Sequence, residues 1–202
     1  SRESLVHSPV IVIIDSIEFD VELQLKNMLS PYDYNLYKIE TKQYIVDKTV
    51  MSSTCSHHKV NSAKDLLLIL QKEDPEDEFG IDDKGIWQKT DYNLKGEWDY
   101  WIVGGRFEEL FKKCKNSCLN LPSELEPFVC EVRYIPSTII TTGVVLTSDG
   151  TWHDSNNFGL SNYPEQISKE QWSRGEENWR EFLRLTFDQN DNKYGVIVDC
   201  HS

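Results

Sequence analysis

The sequence predicts an α+β fold, a single domain over residues 1–202 with a mixed or mainly antiparallel sheet packed by amphipathic helices. Three observations predict it. Short β-branched or alternating segments of strand length are interleaved with stretches of helical periodicity. A Ser148-Asp149-Gly150 turn joins two of the strands tightly, which makes that pair antiparallel. The chain shows no internal repeat and no clear linker.

The elements follow in order. Residues 10–14 are five β-branched residues and read as a buried strand. Val21, Leu25, Met28 and Leu29 repeat at helical spacing over 18–29, and Ser30-Pro31 ends that helix because the residue before proline avoids the α region. A turn at 32–35 and a strand at 44–46 come next. Ser62 with Asp65 three residues on is a helix-start signal, and Leu66, Leu67, Ile69 and Leu70 supply the buried side. The acidic segment 73–83, with Pro75 and Gly80, is expected to be an exposed loop. A strand at 98–103 closes on Gly104-Gly105, and Phe107, Leu110 and Phe111 suggest a short helix. A polar connection spans 112–127. Strands are expected at 128–134, 138–146 and, after the turn, from Thr151. Ser168 to Gln171 forms a second capping box, opening a helix that carries Trp172, Trp179, Phe182 and Leu183. Gly175 inside it costs roughly 1 kcal/mol against alanine. The last strand is expected at 194–199.

Charge excludes some functions. With 34 acidic and 21 basic residues the formal charge is −13, which argues against general binding of DNA, RNA or anionic membrane. It leaves room for a small anion in a local basic pocket. The longest uninterrupted apolar runs, 10–14 and 66–70, fall well short of the roughly 20 residues of a membrane span. The start of the chain has no signal-peptide pattern, and five cysteines do not read as a disulfide scaffold, so a cytoplasmic setting is expected.

The densest unusual segment is 97–107. Alternation puts Trp98, Tyr100 and Ile102 on one face and Asp99, Trp101 and Val103 on the other. Gly104 and Gly105 allow a sharp turn, and a helix beginning at Phe107 would aim free N–H groups back at it. With Arg106 this suits a phosphate or carboxylate, and Trp98, Tyr100, Trp101 and Trp152 offer stacking surface for a base. The plainer alternatives are that the tryptophans are core and that Arg106 pairs with Asp99 or Glu97. A second lead is metal chemistry. His57, His58, His153, Asp199 and His201 are a donor set suited to zinc, able to activate water for hydrolysis. Asp199 and His201 share a strand face, with Cys200 opposite. Asp199 has an alternative reading, as a buried acid holding Arg106 or a backbone amide. Cys114 and Cys118 also have zinc-compatible spacing. A cysteine nucleophile at Cys55 beside His57 or His58 ranks below metal hydrolysis.

Four segments carry a resemblance: 29–35 (Leu-Ser-Pro-Tyr-Asp-Tyr-Asn), 98–107 (Trp-Asp-Tyr-Trp-Ile-Val-Gly-Gly-Arg-Phe), 149–153 (Asp-Gly-Thr-Trp-His) and 198–201 (Val-Asp-Cys-His). In this order they resemble the L-x-P-[YF]-x-E-N, W-D-W-Y-x-x-G-G-R-W, D-G-x-W-H and V-D-C-H segments of an uncharacterised group of bacteriophage and bacterial proteins. Tyr34 stands where that group has an acid, and Phe107 where it has tryptophan. The resemblance implies a phage-type accessory protein of the kind that counters host defence, by sequestering or destroying a nucleotide signal or by occupying a host protein. It supplies no reaction. The expected function is therefore binding of a nucleotide-like or other anionic small molecule by Trp98, Tyr100, Trp101, Gly104, Gly105, Arg106 and Trp152. The alternatives are a metal-dependent hydrolase or phosphodiesterase, and an acidic inhibitor of a host protein.

Overall fold

A computed structural model describes residues 6–35, 41–90, 93–114, 120–160 and 164–202. In chain order the elements are β1 (His7–Ile14), α1 (Val21–Leu29), β2 (Thr41–Asp47), α2 (Met51–His57), α3 (Ala63–Glu73), β3 (Phe79–Asp82), β4 (Gly85–Thr90), β5 (Tyr100–Val103), β6 (Val129–Glu131), β7 (Val144–Leu146), β8 (Trp152–Asp154), α4 (Lys169–Gln189) and β9 (Tyr194–His201). The fold class is α+β, with one mixed and one antiparallel sheet. The chain divides into two compact units, Ser1–Pro31 with Glu97–Ser202, and Tyr32–Gly96.

In the larger unit the strand order is β5-β9-β1-β7-β8, with β6 also pairing β9. The β-branched run of β1 sits at the centre because it is apolar on both faces. It pairs antiparallel with β9 and parallel with β7. Ile11 and Ile13 point toward α4, where Trp179, Leu183 and Phe187 recur four residues apart and are buried with them. Val10, Val12 and Ile14 point to the other face, and α1 packs on β1 through Val21, Leu25 and Leu29. Each such fully buried side chain contributes roughly 1.5–3 kcal/mol. The capping box of α4 forms as expected: the Gln171 N–H donates to Ser168 Oγ at 3.2 Å, and the Ser168 N–H to Gln171 Oε1 at 3.2 Å. Gly175 has a packing reason, since a Cβ there would lie 2.7 Å from the Phe158 carbonyl oxygen.

The smaller unit is a three-stranded antiparallel sheet, β2-β4-β3, with a core of Val46, Cys55, Leu66 and Ile86 drawn from the sheet, α2 and α3. Ser62 Oγ caps α3 by accepting the Asp65 N–H at 3.2 Å.

Several expectations change. The acidic segment 73–83 is not all loop: α3 runs to Glu73, and β3 occupies its end, hydrogen-bonded to β4 with Phe79 buried. Pairing across the sheet outweighs the local turn signal of Gly80 there. The strands expected at 128–134 and 138–146 shorten to β6 and β7, because a 3-10 turn takes Val132–Tyr134. The short helix near Phe107 is one 3-10 turn, Gly105–Phe107, so no helix N-terminus lies behind Gly104-Gly105. Among the described residues no helix is long and apolar enough to cross a membrane.

Candidate functional site

The topology collects polar residues at one end of the larger sheet. β1 and β7 begin there, β9 and β8 end there, and β5 begins there. His7 is opposite His201 in the β1–β9 register, and Tyr100 is opposite His201 on the other side. The pairing continues past both elements, with Val6 and Ser202 exchanging backbone hydrogen bonds of 3.2 and 3.0 Å. His201 is thus held in a ladder and not frayed.

Period-two alternation places His7, Pro9, Asp199 and His201 on one face. There the His7 and His201 rings meet edge to face, with centroids 4.8 Å apart. Each imidazole is tied to a carboxylate through Nδ1: His7 to Asp199 Oδ1 at 2.9 Å, and His201 to Asp99 Oδ1 at 2.8 Å. The bond to an acceptor places the proton on Nδ1 and leaves Nε2 of each ring for other chemistry. Among the described residues neither Nε2 has a hydrogen-bond partner. Both side chains keep some access to solvent, 20% for His7 and 18% for His201.

Asp199 is the anchor. It is 3% exposed, and its second oxygen accepts the backbone N–H of Arg106 at 2.9 Å. Gly104 and Gly105 make this possible. Both have positive φ, +75° and +55°, and a Cβ on Gly105 would lie 2.5 Å from Asp199 Oδ2. The Gly-Gly turn therefore brings the chain onto Asp199 and leaves the Arg106 side chain outside. That side chain is exposed and forms no ion pair among the described residues. Asp99, the alternative partner for Arg106, is taken by His201. Tyr100 is 59% exposed on the same face as His201, an open aromatic surface beside the imidazoles.

The other expected residues distribute differently. Trp98 is buried, and its Nε1–H donates to the Leu29 carbonyl at 3.0 Å, pinning the end of α1. Trp101 is half-buried opposite Cys200, on the reverse face. Trp152 lies on β8, the edge strand opposite β5, four strand spacings or about 19 Å away. His153, also on β8, is roughly 14 Å from β9 by the same spacing and packs on Phe182 at 5.0 Å. Its Nε2 is 3.2 Å from Thr147 Oγ1. His57 and His58 belong to the smaller unit, ring to ring at 5.3 Å, and Cys55 is in that unit's core. Cys118 lies outside the described residues. Among the described residues no three His, Cys, Asp or Glu side chains are grouped to hold a metal ion. The Cys200 thiol is on the reverse face, and burial pushes its pKa far up, which removes it as a nucleophile.

His7 was not visible as a site residue from sequence. It carries no motif spacing, and Pro9 hides the strand that extends to it. Proline is tolerated at Pro9 because β7 begins only opposite Val10, leaving that stretch of β1 unpaired on one side. Glu97 and Asp154 are a second missed feature. Burial raises the Glu97 carboxyl above its ordinary value, and the charge of Asp154 raises it further. Burial likewise raises Asp154 against the lowering effect of its bond from the Asn156 N–H. A carboxyl raised in the folded state holds its proton more tightly there. Its contribution to stability is present in acid, below the unfolded value, and is lost as pH rises through the folded value. Asp154→Asn keeps the Asn156 cap and removes the charge. Its melting temperature is expected to exceed that of the parent at pH 7 and to match it near pH ~3, as read by thermal unfolding at both pH values.

No family model matches this chain, and no curated protein or solved structure is significantly similar to it.

Proposed function

We propose that the protein binds a small phosphorylated, nucleotide-like anion at the His7–His201 end of the larger sheet. The observation that carries this reading is the pair of edge-to-face imidazoles, each fixed through Nδ1 by its own carboxylate, with the Arg106 backbone anchored on one of those carboxylates. An imidazole that carries its second proton presents an Nε2–H, and this donor with a guanidinium suits phosphate oxygens, while the exposed Tyr100 ring suits a stacked base. Of the residues expected from sequence, Tyr100, Gly104, Gly105 and Arg106 belong to this site, joined by His201 and Asp199 from the metal set. Trp98, Trp101 and Trp152 do not take part. The four-segment resemblance suggests a setting, a phage-type accessory protein that sequesters a nucleotide signal.

Calorimetric titration with adenosine 5′-monophosphate tests it. Arg106→Ala is expected to weaken binding about 10- to 100-fold, the loss of one charged hydrogen-bonding group. Its unfolding transition should stay unchanged, because Asp199 is held by the Arg106 backbone and not by the side chain. Equal affinity in parent and variant would reject Arg106 as the anion clamp.

A further inference from the structure

We infer that the same site cleaves the phosphodiester bond of a short ribonucleotide, an inference that rests on the binding reading above. Two imidazoles within one site can divide acid and base roles, provided both are oriented and both keep a reactive nitrogen. Here both conditions hold. Asp199 fixes the His7 ring and Asp99 the His201 ring, and both Nε2 atoms are left for substrate. Asp199 and Asp99 are positioning residues, since they act through the rings. A ribonucleotide carries its own nucleophile, the 2′-hydroxyl next to the scissile phosphorus, so the protein need only move two protons and hold the phosphate.

The step balances without a co-reactant. A neutral imidazole Nε2 takes the 2′-hydroxyl proton as O2′ bonds to phosphorus. The P–O5′ bond breaks, and the second imidazole, protonated on both nitrogens, gives its Nε2 proton to the leaving O5′. The products are a 2′,3′-cyclic phosphate and a free 5′-hydroxyl, and the two rings have exchanged protonation states. Arg106 faces the phosphate and offsets the charge that gathers on its oxygens. The charge of −13 disfavours long polyanions and restricts the substrate to one or a few linkages. The groups that set the protonation of the two rings are Asp199 on β9, Asp99 before β5, each ring toward the other, and the Arg106 guanidinium; the Tyr100 hydroxyl and, farther off on β8, His153 are titratable groups on the same sheet face. One neutral and one protonated ring are required, so activity should be bell-shaped in pH.

The test uses the full chain with two probes, the diribonucleotide ApA and its 2′-deoxy counterpart dApdA. The expected result is conversion of ApA to adenosine 2′,3′-cyclic phosphate and adenosine, unchanged by EDTA, while dApdA binds and stays intact. His7→Asn and His201→Asn place an amide N–H where Nδ1 was, so the carboxylates keep a donor and the fold is retained. Each should lower kcat/KM by about 100-fold or more. Binding of dApdA with ApA left uncleaved would overturn the cleavage inference and leave the binding reading standing. Failure of both probes to bind would overturn both. Cleavage that survives both asparagine variants, or that EDTA abolishes, would also overturn the two-imidazole step.

Discussion

Asp199→Ala is expected to lower folding stability by about 2–4 kcal/mol and to abolish binding of adenosine 5′-monophosphate. The carboxylate is 3% exposed and accepts from two places at once, the His7 ring and the Arg106 backbone. Truncation leaves both donors without their acceptor, and it removes one of the two bonds that hold the Gly104-Gly105 turn against β9, the other being from the Gly104 N–H to the Ile197 carbonyl at 2.9 Å. The stability loss and the binding loss therefore have one cause. Asp199→Asn can accept one of the two bonds, but its amide nitrogen then faces a donor, so it should fall between parent and alanine. Urea unfolding and titration on the three proteins read the series. Parent-like stability in Asp199→Ala would mean that the carboxylate is not the anchor.

The second large effect lies in the core under α4. Trp179→Ala should cost about 3–5 kcal/mol, because Trp179 is 1% exposed at the centre of the face packed by α4. Its ring stacks on Phe182 at 5.5 Å and meets Phe158 at 5.3 Å, so the vacated volume has rigid walls that cannot collapse. Trp179→Phe should cost much less. The Trp179 Nε1–H is buried with no acceptor among the described residues, and phenylalanine removes that orphan donor along with part of the ring. Thermal unfolding of the two variants separates lost packing from the lost polar group. Equal losses would show that a phenyl ring recovers none of the packing and that the cost belongs to the indole's own shape.

The secondary elements with strong local signals were legible in the sequence. The β1 run, both serine caps and the 148–150 turn appear where periodicity and capping chemistry place them. Alternation also put Asp199 and His201 on one face, and the reading of Asp199 as a buried acid holding a backbone amide matches its bond from Arg106. The rest of the site depends on long-range register. His7 and His201 are 194 positions apart, and only the antiparallel pairing of β1 with β9 brings them together. The tryptophans misled for the reason that makes them common in cores: Trp98 buries its ring and satisfies its N–H on the Leu29 carbonyl. Local spacing likewise could not show that Trp152 and His153 sit on the edge strand opposite β5.

The central claim is that His7 and His201 form one anion site. The most direct measurement is the ¹⁵N NMR response of the five imidazoles to added adenosine 5′-monophosphate. The predicted result is a saturable shift of the Nε2 signals of His7 and His201 together, with one dissociation constant, while His57, His58 and His153 stay in place. Shifts confined to His57, His58 or His153, or no shift in His7 and His201 at saturating nucleotide, would contradict it.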